Sequence, residues 1–192
     1  MSHASETPNR QRPLVGAIVG TVVIMAYALF AAVQILVLNP MAAVPGASLR
    51  DIYAHVAEAG ESMGVLVVLA SLAVGPGIAI ALLVAVWSGP ATSVRRVALQ
   101  YLAVVALGAL GYFWASFGAG MSLADTFGIS GGDYSPWAWP IYLVSALATG
   151  GVGGVHAVNV LVVQAVLAAH EDFEQRPFMT VFGHGNLLVI TQ

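Results

Sequence analysis

The sequence predicts an all-α fold: an integral membrane four-helix bundle with a short amphipathic helix in its first outer loop. Three observations lead to that class. Only 8% of the 192 residues are charged and 59% are hydrophobic, whereas an ordinary soluble domain carries about 25% charged residues. Four apolar runs without Asp, Glu, Lys or Arg occur at about 14–38, 63–87, 97–117 and 139–169, each near or above the roughly 20 residues that span a hydrocarbon core about 30 Å thick. All six basic residues are arginine, and every one lies outside these runs. The chain therefore reads as one membrane domain over 1–192, with polar tails at 1–13 and 170–192.

The first tail holds two prolines and places Arg10 and Arg12 just before the first run. Leu14–Leu38 is too long for a secretory signal, whose apolar region is about 7 to 15 residues, so it reads as a retained anchor closed by Asn39-Pro40. Gly16 and Gly20 have the spacing of a close helix contact. After the turn at Pro40, Pro45 and Gly46, Ser48 and Asp51 are spaced as a capping box. Leu49, Ile52, Tyr53 and Val56 then recur on one helical face, which makes a short amphipathic helix lying on the bundle or at the lipid surface.

The second run contains Gly75-Pro76, where the missing amide hydrogen predicts a kink and a packing contact. Ser88, Gly89 and Pro90 break the chain, and Arg95-Arg96 precede the third run. The segment 118–136 reads as a glycine- and serine-rich loop that carries Asp125 and Asp133. Tyr134, Trp137, Trp139 and Tyr142 follow as an interfacial aromatic belt. Beyond the fourth run, 170–176 is plainly aqueous. Phe178–Gln192 is β-prone, with a turn at Gly183-His184-Gly185-Asn186.

The fourth run carries an ionisable residue deep inside an apolar stretch. At 100° per residue, Ser145, Thr149, His156 and Asn159 fall within about 40° of a common line. Gly150 and Gly154 form a small-xxx-small pair on the opposite face. An intramembrane histidine is costly, and it is either functional or a neutral group satisfied by a neighbouring helix. No acidic or basic partner lies in any run to make a second station for a proton relay.

Residue types in the chain also match the patterns of several other chemistries. Asp51, His55 and Glu58 lie on one face over two turns, a donor set for a divalent metal such as zinc; a solvated polar face accounts for the same spacing. His156 and His170 resemble the paired axial haem ligands on one helix of a di-haem cytochrome b bundle, but a second histidine-bearing helix is missing. Gly128-Ile129-Ser130-Gly131 resembles the G-x-S-G string around the nucleophile of rhomboid-type intramembrane proteases. That resemblance implies a serine opening a buried helix and a histidine from another span; here the string falls in an acidic loop of a four-span chain. Cysteine is absent, which removes thiolate chemistry. A net charge of −3 without a basic run argues against nucleic acid.

Arg10, Arg12, Arg95, Arg96 and Arg176 flank one side of the spans and Arg50 alone the other, which predicts cytoplasmic termini in the cell membrane. The expected function is that of a non-catalytic accessory, assembly or scaffold subunit without a cofactor. Its partners would be the lipid bilayer and either other membrane subunits or further copies of itself. The alternative is a small transporter or channel-like oligomer that uses the polar stripe of the fourth run.

Overall fold

The computed structural model describes residues 11–153. All regular structure among them is helical. Three stretches are long and apolar enough to cross a membrane: Gln11–Ala43, Val65–Ser88 and Val94–Phe127, with mean hydropathy 2.4, 2.5 and 1.7. Large apolar side chains face outward along them: Leu29, Leu66 and Trp114 are 67%, 80% and 69% exposed. A surface of that kind is solvated by lipid, and the chain is a multi-pass membrane protein.

Helix α1 (Gln11–Val33) does not end at Asn39-Pro40 as the sequence suggests. It passes through a π-helical turn, Gln34–Leu38, into α2 (Asn39–Ala43). Pro40 sits in the first turn of α2, where its missing N–H costs least. The Leu36 carbonyl, four residues earlier, accepts a hydrogen bond from Tyr53 Oη at 3.0 Å instead.

The amphipathic helix α3 (Leu49–Glu58) forms as expected. Ser48 Oγ accepts from the Asp51 N–H at 3.2 Å and donates to its carboxylate at 2.7 Å. Ile52 and Val56 are buried in a core with Ala31, Ile35, Tyr112 and Leu123, while Asp51, His55 and Glu58 stay exposed. Helix α4 (Val65–Ser88) carries Pro76 inside it without terminating there.

The third run departs most from expectation. It forms α5 (Val94–Ala106) and, after a single residue at Leu107, α6 (Gly108–Phe127). Residues 118–127, expected to be loop, are thus helical. Gly118 and Gly120 lower their helix propensity, but Ala119, Gly120, Ser122 and Leu123 are buried, and tertiary packing outweighs the propensity of isolated glycines. The helix stops at Gly128, whose φ of +65° is a left-handed cap; its N–H bonds the Ala124 carbonyl at 2.9 Å. A 3-10 turn, Pro136–Ala138, leads into α7 (Trp139–Gly151). The remainder of the fourth run, both tails beyond the described ends, and the proposed β-prone segment lie outside the described residues.

Side-chain contacts fix the directions of the helices. Gly16 lies by Val97, Gly20 under the ring of Tyr101 and Gly108 under that of Tyr27, one constant register that makes α1 parallel to α5 and α6. Gly75 lies by Ile24, and Ala79 lies by Thr21, so α4 runs antiparallel to α1. Ser145 meets Val105, and Gly151 meets Leu102, so α7 runs antiparallel to α5. This up-down-up-down order puts Arg12, Arg95 and Arg96 at one end of the bundle. Asp51, Glu58, Glu61, Asp125 and Asp133 gather at the other, with Arg50 there too.

Candidate functional site

Polar side chains inside the bundle tie helices to one another. Tyr27 Oη and Ser145 Oγ are 3.0 Å apart, and Ser145 Oγ donates to the Val105 carbonyl at 2.9 Å. That carbonyl belongs to the last turn of α5, where the break at Leu107 leaves carbonyls without the next helical turn. Thr149 Oγ1 donates back to the Ser145 carbonyl at 2.9 Å. Nearer the arginine end, Tyr101 Oη donates to the Ala79 carbonyl at 2.9 Å and lies 2.9 Å from Thr21 Oγ1. Both tyrosine rings rest on glycines, because a Cβ at Gly20 would fall 2.5 Å from the Tyr101 ring and one at Gly108 would fall 2.8 Å from the Tyr27 ring.

Of the predicted polar stripe, Ser145 is 2% exposed and Thr149 is half-buried. His156 and Asn159 lie outside the described residues, as do Gly154 and His170. Gly150 is exposed, and among the described residues no atom lies within 4 Å of where its Cβ would be. Gly75 and Pro76 line an apolar cavity of about 220 Å³ between α1, α4 and the α5–α6 break, together with Tyr27, Ser71 and Gly108.

The acidic end is a second polar assembly, which the sequence did not bring together. Asp133 Oδ1 accepts from Tyr112 Oη at 2.6 Å and Oδ2 from Tyr142 Oη at 3.2 Å; the two rings meet edge to face at 5.5 Å. Asn39 Oδ1 accepts from the backbone N–H groups of Tyr134 and Ser135 at 2.6 and 3.3 Å, pinning the segment after α6 to the end of the first helix. Ser122 Oγ, which reaches both the Ser62 carbonyl at 2.8 Å and Glu61 Oε2 at 3.1 Å, locks α6 to the chain after α3. These ties leave a cleft of about 480 Å³ bounded by Asp133, Tyr134, Ser135, Trp139 and Tyr142.

Behind Tyr112, the π turn aims Gln34 into the core. Its amide is fully buried and lies against the Tyr112 hydroxyl without the geometry of a hydrogen bond to it, so both polar atoms lack a partner among the described residues. An unmet buried polar group costs roughly 1–3 kcal/mol, and π turns often mark functional places in helices.

Among the described residues no three histidine or carboxylate side chains converge as metal ligands. The Asp51 carboxylate is engaged by Ser48. His55 Nδ1 lies 2.8 Å from the Asp51 carbonyl and so donates to it, which leaves only Nε2 as an acceptor. The G-x-S-G string serves as a helix terminator: Gly128 caps α6, and the exposed Ser130 Oγ lies 2.8 Å from Tyr134 Oη. Burial raises the Tyr53 phenol above its ordinary 10.0. In comparisons with known proteins, the chain matches no family model, no curated protein and no solved structure.

Proposed function

We propose that the protein is a non-catalytic membrane subunit whose acidic-end assembly is a fixed platform for other components of a membrane complex. The observation that carries this reading is how the buried hydroxyls are used. Tyr27, Tyr101, Ser145 and Thr149 all spend their hydrogen-bonding groups holding one helix to the next or to their own turn. The two serine–carboxylate contacts among the described residues are structural: Ser48 and Asp51 cap α3, and Ser122 with Glu61 belongs to a lock that also takes up the Ser62 carbonyl. The exposed ridge of Phe113, Trp114 and Phe117 on α6 suits a neighbouring apolar helix as well as it suits lipid. Membranes solubilised in a mild detergent should release the full chain in a complex larger than its own monomer, with other membrane proteins at fixed ratio. Recovery of the chain only as a monomer under those conditions would count against the reading.

The cavity beside Gly75 and Pro76 favours a second reading, a small transporter or channel-like oligomer. Glycines on both walls, Gly75 and Gly108, let the helices approach and part with little side-chain obstruction. Solute flux through proteoliposomes that contain the purified chain alone would select this reading over the first.

A further inference from the structure

We propose that the cleft at the acidic end binds a methylated ammonium group, either as the headgroup of a zwitterionic lipid or as a free organic cation. The cleft couples one carboxylate to aromatic walls. Asp133 is exposed to it, and among the described residues no arginine or histidine pairs with that charge. Trp139, Tyr134 and Tyr142 flank it and are 71%, 38% and 37% exposed. Aromatic faces attract a cation through their quadrupole, most strongly for tryptophan, and cages of this kind are the usual receptors for quaternary ammonium.

The hydrogen bonds around Asp133 select among cations. Each carboxylate oxygen already accepts from a phenol, Tyr112 on one side and Tyr142 on the other. A guanidinium or a primary ammonium would have to share the remaining lone pairs of those oxygens with the phenols, and a primary ammonium brings three donors to satisfy. A methylated ammonium donates nothing and needs only the field of the carboxylate and the ring faces. The surrounding end of the bundle, with Asp51, Glu58, Glu61 and Asp125 against Arg50, adds a negative potential that concentrates cations there.

The cleft is also preorganised. Its floor is Ser135, 4% exposed, whose N–H and that of Tyr134 are both held by Asn39, and whose Oγ accepts from the Trp137 N–H at 3.3 Å. Ordering losses on binding are smaller when the walls are already fixed. An aromatic belt of this composition sits at headgroup level in membrane proteins, which is where such an ammonium is found at high local concentration.

The test titrates the purified full chain, in a maltoside detergent that carries no ammonium group, with choline chloride, following tryptophan fluorescence and heat. Saturable binding is expected. The uncharged isostere 3,3-dimethylbutan-1-ol should bind at least tenfold more weakly, and so should ethanolamine. Asp133→Asn should weaken choline binding at least tenfold. Because that change also loosens Tyr112, Trp139→Leu serves as the second variant, at an exposed position, and should weaken choline binding by a similar factor while leaving thermal stability unchanged. Equal binding of the neutral isostere, or unchanged choline affinity in both variants, would overturn the proposal. Repeating the titration in nanodiscs separates the sources. Competition that is stronger in phosphatidylcholine than in phosphatidylethanolamine discs identifies the lipid headgroup, and equal affinity in both identifies a free cation.

Discussion

Tyr53 of α3 donates its hydroxyl hydrogen to the Leu36 carbonyl at 3.0 Å, the carbonyl that the ring nitrogen of Pro40 cannot bond. The surface helix is thereby fastened to the one place in the first span where the helical ladder is interrupted. Tyr53→Phe keeps the ring packed but leaves that carbonyl without its donor, and it should cost about 1 kcal/mol. Faster hydrogen exchange confined to α3 and the π turn is the expected signature, read by mass spectrometry. An exchange pattern identical to the parent would show the bond to be idle.

The same residue predicts a pH dependence. Burial raises the folded phenol above its ordinary 10.0, so folding favours the protonated form. The contribution is fully present below the unfolded value near 10 and is lost as pH rises through the higher folded value. Melting temperature should therefore fall on the alkaline side in the parent, and the fall should be shallower in Tyr53→Phe. Parallel alkaline limbs in the two proteins would argue that another group governs the loss.

Gly20 and Gly108 let α1 lie against the α5–α6 pair, each with a tyrosine ring over it. A methyl group at Gly20 would sit 2.5 Å from two atoms of the Tyr101 ring, a distance that forces the ring or the helix to move. Gly20→Ala and Gly108→Ala should each destabilise by roughly 1–3 kcal/mol, the usual cost of overpacking. Gly150→Ala should be close to neutral, since its Cβ has open space among the described residues. Comparing the three in a detergent melt tests whether glycine content or glycine position matters.

Legibility in the sequence followed the range of the interactions. Uncharged length located the first three spans, and the 3.6-residue period located α3 with its Ser48 cap, because both signals are local. The extension of α6 through Gly118–Phe127 was not legible: the residues that make it helical are buried by partners far along the chain, and the segment's own glycines and serines point to a loop. Pro40 misled for a related reason, since a π turn before it and Tyr53 across from it absorb the missing donor. At the candidate site the pattern singled out Ser145 but gave no sign of its partner Tyr27, more than a hundred positions away. The pair Gly16–Gly20 was the available hint that a neighbouring element would lie close on α1. The Asp133 cleft had a fainter signal still, one acidic residue within a run of tyrosines and tryptophans.

Tyr27 and Ser145 allow the energetic weight of the interior hydrogen bonds to be measured. Tyr27→Phe, Ser145→Ala and the double variant form a thermodynamic cycle. The coupling should be about 0.6 kcal/mol and below about 2, the range found for hydrogen bonds between membrane helices. Ser145→Ala should cost more than the coupling alone, because it also removes the donor to the Val105 carbonyl at the α5 break. A coupling near zero would mean that the two hydroxyls are merely adjacent.

The contacts that set the helix directions also sharpen the topology. Arg12, Arg95 and Arg96 come to one end because α1 and α5 run parallel in a constant register, and short arginine-bearing segments stay on the cytoplasmic side. The acidic end, with α3 and the Asp133 cleft, should then face outward. The chain has no cysteine of its own, so single introduced thiols report without background. Gly132 lies in the segment after α6, with nothing within 4 Å of its Cβ position among the described residues; Ala91 is exposed between α4 and α5. Gly132→Cys should react with a membrane-impermeant maleimide in intact cells, and Ala91→Cys only after the membrane is opened. Labelling of Ala91→Cys alone in intact cells would invert the orientation and turn the cleft toward the cytoplasm. The hydrogen bonds that build the cleft would be unaffected, but its ammonium ligand would then have to come from the inner leaflet or the cytosol.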